Sequence, residues 1–177
     1  PDMDEDTPAT FTFQLSDPDA PDDTMNSLTL KAVSGNSMLI PAMLVEGSGP
    51  GRTITFTPGP DQFGKTEITV TVTDEKGAQR QAQFFLNVNS VNDPPIVPGI
   101  GPQQGLEDGW TDTIPFSISD AEGGSLLVSV NSGNAILIPN SGSNIHISGM
   151  GLTSYSTHGE PGVSIPMNLK FLPSQNE

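Results

Sequence analysis

Residues 66–74 read TEITVTVTD. Ile68, Val70 and Val72 occupy alternate positions, with Thr69, Thr71 and Thr73 between and after them. Side chains alternate across a strand with a period of two, so the stretch predicts a strand with one apolar and one hydroxyl face. A helix would need apolar residues three and four apart, and no window of the chain carries such a stripe. The same alternation recurs on either side, in ATFTFQL (9–15), LTLKAV (28–33), RTITFTP (52–58) and QAQFFLNVN (81–89). Turn-forming runs separate these segments: SGNS, GSGPG, PGPDQFG and DEKG. Ile68, Val70, Val72, Phe84, Leu86 and Val88 are the expected core of the two last strands.

Some seven short strands in about 90 residues predict an all-β, immunoglobulin-like sandwich. The chain then repeats itself. MDEDT (3–7) returns as GLEDG (105–109), and FTFQLSDPD (11–19) as IPFSISDAE (114–122). SGNSMLIP (34–41) returns as SGNAILIP (132–139), and TITFTPGP (53–60) as NLKFLPSQ (168–175). The expected organisation is therefore tandem sandwiches, 1–93 and a partial 94–177. The second carries an insertion at 140–162 and lacks counterparts of TEITVTVTD and QAQFFLNVN. Without that pair it should not fold alone. The strands would come from a continuing chain or from a neighbour. The opening PDMDEDT has no initiator Met and reads as a piece of a longer or processed protein.

The 177 residues hold 6 Lys plus Arg against 21 Asp plus Glu, a formal charge of -15. Nucleic acid and anionic membrane surfaces both require a basic face, so neither is an expected partner. No apolar run reaches the roughly 20 residues of a membrane helix, and no signal peptide is present. The absence of Cys excludes disulfides and thiolate chemistry. Gly (19) and Pro (17) fall between the regular runs, the pattern of a turn-rich folded chain.

The carboxylates cluster. Asp4, Glu5 and Asp6 form one group; Asp17 and Asp19 another; Asp61 stands in PGPDQFG, Asp74 and Glu75 in DEKG, and Asp93 in VNDPP. Glu107 with Asp108, and Asp120 with Glu122, repeat the first two. Acids often decorate turns simply because turns are wet. Here, however, few cations are present to compensate. Two carboxylates about 4 Å apart repel by roughly 1 kcal/mol in water and about 4 at an effective dielectric of 20. Calcium, which takes six to eight oxygen ligands, suits such a cluster.

The ordered set DEDT, SDPD, PDQFG, VTDEKG and VNDPP resembles the cadherin-like tandem repeats of large bacterial surface proteins. The resemblance covers the first unit and about two thirds of the second. It implies calcium at the junction between successive sandwiches. By position the junction ligands would be Glu5, Asp61, Asn92, Asp93, Asp120 and Glu122. Asp17, Asp19, Asp74 and Glu75 would lie at the opposite end of the first repeat, facing a preceding one. Ser90 stands where cadherins place an Asp, the motif after the fifth strand is reduced to Asp61-Gln62, and the second Asp-x-Asp is Asp120-Ala121-Glu122. One ion is therefore expected rather than three. Asn176 falls at the position of Asp61, which weakens any downstream junction.

Pro94 and Pro95 restrict the linker backbone and remove two amide donors, leaving Asp93 to hold a cation or the prolines to act as a plain spacer. The resemblance implies an extracellular, cell-surface structural or adhesive module, stiffened by calcium and not an enzyme. Its partners would be neighbouring repeats, other copies in a filament, or surface glycans and proteins. A carbohydrate-binding module is the alternative, with Trp110 and Tyr155 the only large amphipathic aromatics. Trp110 could cap the core edge, and Tyr155, in the insertion, is expected to be exposed. His146 and His158 read as surface polar residues, a metal pair with Glu160 being the less favoured option. No G-x-S-x-G nucleophile motif occurs, and GPGR (49–52) lacks the Lys-Ser/Thr and helix of a phosphate loop.

Overall fold

The computed structural model describes residues 1–16, 27–148 and 153–174. The chain divides into two compact units, Pro1–Val91 and Asn92–Glu177. The division falls two residues before the boundary drawn from the sequence. Asn92 and Asp93 go with the second unit because the backbone here bonds into it: Asp93 N–H donates to Glu122 Oε2, and Ile96 bridges Ser119.

The first unit contains β1 (Asp2–Asp4), β2 (Ala9–Gln14), β3 (Thr29–Ser34), β4 (Ala42–Glu46), β5 (Gly51–Thr57), β6 (Gly64–Thr73) and β7 (Gln79–Asn89). They form two sheets, in the orders β1-β7-β6-β3 and β2-β5-β4. All pairs are antiparallel except β1 with β7. β6 and β7 are central and paired along ten residues, from Gly64–Val88 to Thr73–Gln79. Alternation drives the packing. Ile68, Val70, Leu86 and Val88 are buried, while Val72 and Phe84 pack at the core margin. Facing them are Ile54 and Phe56 of β5, with Leu39 and Ile40 closing one side. Phe84 of β7 meets Phe13 at 5.9 Å and, edge to face, Phe56 at 6.3 Å, so aromatic contacts link one sheet to the other. Each fully buried Ile, Leu or Phe contributes about 1.5–3 kcal/mol.

The second unit contains β8 (Ile114–Ile118), β9 (Gly124–Ser129), β10 (Ile145–Ile147), β11 (Ser154–Gly159) and β12 (Ile165–Phe171). One sheet has the order β10-β12-β8. It reproduces β4-β5-β2 residue for residue: Leu169 lies opposite Ile114 as Ile54 lies opposite Phe11. Its core is Ile114, Ile118, Ile145, Ile147, Met167 and Leu169. The other sheet is the pair β11-β9. The insertion at 140–162 is thus not a bare loop. It supplies β10 and β11, and Tyr155, expected to be exposed, packs against the core.

The repeated SGNxxLIP motif builds the same turn twice. Ser34 Oγ donates to Asn36 O, and Asn36 Oδ1 accepts from Met38 N and Leu39 N. Ser132 Oγ donates to Asn134 O, and Asn134 Oδ1 accepts from Ile136 N and Leu137 N. The acidic turns also match: Asp6 and Asp108 both adopt positive φ, 59° and 61°. Asp tolerates this region better than most residues because its short side chain bonds locally.

Candidate functional site

In the first unit, β1 runs parallel to the end of β7, which sets Asp4 opposite Asn89. The chain then turns through Glu5 and Asp6. Glu5 N–H donates to Asn89 O at 3.0 Å, and Glu5 Oε1 accepts from Val91 N at 2.8 Å. The buried Glu5 side chain is therefore clamped on the last residue of the unit. Asp61, whose φ is 53°, donates its N–H to Asp6 Oδ1 at 3.2 Å. Asn89 donates its side-chain amide to Asp4 Oδ1 at 3.1 Å. One end of the sandwich thus gathers Asp4, Glu5, Asp6 and Asp61. Asp6 was not among the expected ligands, although its place in DEDT, one residue from Glu5, is a signal that could have included it.

In the second unit, Asp93 N–H donates to Glu122 Oε2 at 3.0 Å. Glu122 N–H donates to Asp120 Oδ1 at 3.2 Å, and Asn92 Nδ2 to Asp93 O at 3.2 Å. Asp120, also buried, accepts at its backbone oxygen from Gly123 and Gly162, which fixes the turn after β8. Gly123 has φ 74°, and a Cβ there would lie 2.6 Å from Gly159 O, so this turn admits only glycine without rearrangement. The second Glu122 oxygen, Oε1, is buried and has no hydrogen-bond partner among the described residues. A buried carboxylate oxygen left this way is costly unless a cation meets it. Each unit therefore offers clustered hard oxygen donors, the donor type calcium takes.

Asp74 and Glu75 stand elsewhere. They lie at the far end of β6, about 30 Å along the strand from Gly64. Asp74 Oδ1 accepts from Lys76 N and Ala78 N, a turn-forming role that uses the carboxylate locally. Asp17 and Asp19 lie outside the described residues. The aromatics form no platform: the Trp110 ring lies 4.1 Å from that of His146, and Tyr155 faces the core. His146 is a half-buried residue of β10, and His158 is exposed on β11.

Residues 1–87 match the bacterial Ig domain family. No curated protein sequence matches the chain. Among solved structures, the ectodomain of human desmocollin-1 aligns with 99% of this chain and 30% of its own, at 14% identity and a TM-score of 0.44. The titin domains Z1Z2 in complex with telethonin align with 99% of this chain and 91% of theirs, at 10% identity and a TM-score of 0.36. The chain thus spans about a third of the desmocollin ectodomain. The seven described strands of the first unit are thus similar to a bacterial Ig domain, and the second unit repeats its sequence motifs.

Proposed function

We propose that this chain is a non-enzymatic spacer or adhesive module of an extracellular bacterial surface protein, and that calcium stiffens its linker. One observation carries the reading. Glu5 grips the amide of Val91, and Glu122 grips the amide of Asp93. Two residues of chain span at most about 7 Å. Chain connectivity alone therefore keeps two anchored carboxylates, with Asp93 itself, on one short stretch of linker. Asp61 bonds Asp6, the neighbour of Glu5, Asp120 stands in the turn of Glu122, and Asn92 adds a neutral oxygen. At a net charge of -15, such a stretch favours a divalent cation. The affinity should be that of extracellular modules, about 10⁻⁴–10⁻³ M.

Titration calorimetry tests this. Calcium should bind in that range, and Asp93→Ala should weaken it far more than Glu67→Gln on the exposed face of β6. No heat of binding up to about 10 mM calcium would remove the proposal. The carbohydrate-binding alternative gains no support from the placement of Trp110 and Tyr155.

A further inference from the structure

The two units use opposite edges of the same strand. The repeated motifs align β3 with β9, so that Leu30 and Ala32 correspond to Val128 and Val130, which pack inward likewise. In an antiparallel pair, hydrogen-bonded residues alternate with non-bonded ones. For L-residues in a strand of given direction, all inward-facing residues send their N–H and C=O groups to one edge, and all outward-facing residues send theirs to the other. In the first unit Gly35 N–H donates to Glu67 O, so the outward set, Gly35, Val33 and Lys31, bonds to β6. In the second unit Val130 N–H donates to Thr153 O, so the inward set, Val130, Val128 and Leu126, bonds to β11. β11 therefore occupies the edge of β9 opposite to the one that β6 fills on β3. The backbone groups of Ser125, Leu127 and Ser129 point to the other edge, where no strand pairs among the described residues.

Burial tells the same story. Leu39 and Leu137 sit in the same turn, and their carbonyls accept equivalent bonds from Gly59 N and Ser174 N. Yet Leu39 is 3% exposed and Leu137 56%. Ile40 and Phe56 are fully buried, whereas their counterparts Ile138 and Phe171 are only partly so. What the first unit has, and the described residues of the second do not, is the β6–β7 pair. We infer that the open edge of β9 is a docking site for a β-hairpin of the β6–β7 kind, carried on the same polypeptide. The first unit displays the occupant: alternating Thr with Ile and Val, entering after a six-residue connection from β5. A second copy is a poor source, because its own hairpin forms the centre of its first unit. By the register of β3 on β6, Ser129 should lie opposite the residue equivalent to Thr71, and Leu127 opposite that equivalent to Thr73.

The test appends a copy of residues 64–89 to the full chain after Glu177 through a flexible linker and follows amide exchange by NMR. Appending the hairpin should slow exchange at Leu127 and Ser129 by about 100-fold or more, with the cross-strand contacts of that register. The same copy carrying Ile68→Asp and Val70→Asp should give no such protection, which keeps the comparison valid even where the second unit is only marginally folded. Three results would overturn the inference: Leu127 and Ser129 already protected in the monomeric 177-residue chain, no protection on appending the hairpin, or protection of the original chain that grows with concentration and so reports a second copy.

Discussion

Asn36 and Asn134 demonstrate how one side chain sets a local structure twice. Each accepts two backbone N–H groups of the turn that follows; in the first unit this turn carries Leu39 and Ile40 into the core, while in the second Leu137 stays exposed. Asn36→Ala should destabilise the first unit by about 1 kcal/mol, whereas Asn36→Asp, which keeps the acceptor, should cost less. Urea melts of the two variants check the order. Glu5 permits a sharper separation of roles. Glu5→Gln retains an oxygen for the Val91 amide but removes the charge. Stability of the first unit should change by less than about 1 kcal/mol while calcium affinity falls. An equal loss of both would make Glu5 a structural clamp and not a ligand.

At the level of elements, the strands that the sequence made plain are those whose alternation is clean. TEITVTVTD and QAQFFLNVN became β6 and β7, each beginning two residues earlier and β6 ending one residue sooner, at Thr73. The missed strands have physical excuses. β1 has three residues and a single inward side chain, Met3. In β4 the outward Leu44 is as apolar as the inward Met43 and Val45, which erases the period. β11 places Tyr155 and Thr157 inward, too weak an apolar signal to stand out from its Ser and Thr. Nor can periodicity say which edge a strand joins, and this is why the insertion read as an interruption and not as a strand on β9. The same asymmetry predicts unequal costs for one substitution. Leu39→Ala should destabilise its unit by about 2–5 kcal/mol, and Leu137→Ala by less than about 1, since truncation costs scale with burial. Denaturation followed at reporters within each unit measures both. Equal losses would mean that Leu137 is covered in solution.

At the scale of the whole molecule, the acid-rich turns were legible as clusters, but their partners were not. No local pattern could pair Glu5 with an amide 86 residues away, whereas the turn that Asp74 closes was legible in DEKG. Under the proposed calcium binding, these partners decide what the ion would do. The carboxylates of Glu5 and Glu122 are each tied to the backbone beside the linker, so removal of the proposed cation would leave each anchored within its own unit. Any repulsion among uncompensated carboxylates near the linker, about 1 kcal/mol for a pair about 4 Å apart in water, would then be relieved chiefly by rotation about the linker bonds. Pro94 and Pro95 lock two φ angles there but leave the ψ angles free. Chelation should therefore broaden the spread of interdomain distances, and about 1 M salt, which shortens the screening length to about 3 Å, should partly reverse the effect. Small-angle scattering with calcium, with chelator, and with chelator plus salt provides the measurement. An identical profile in the first two conditions would mean that the two prolines set the linker geometry unaided, and calcium bound at Asp93 would then have no part in stiffness.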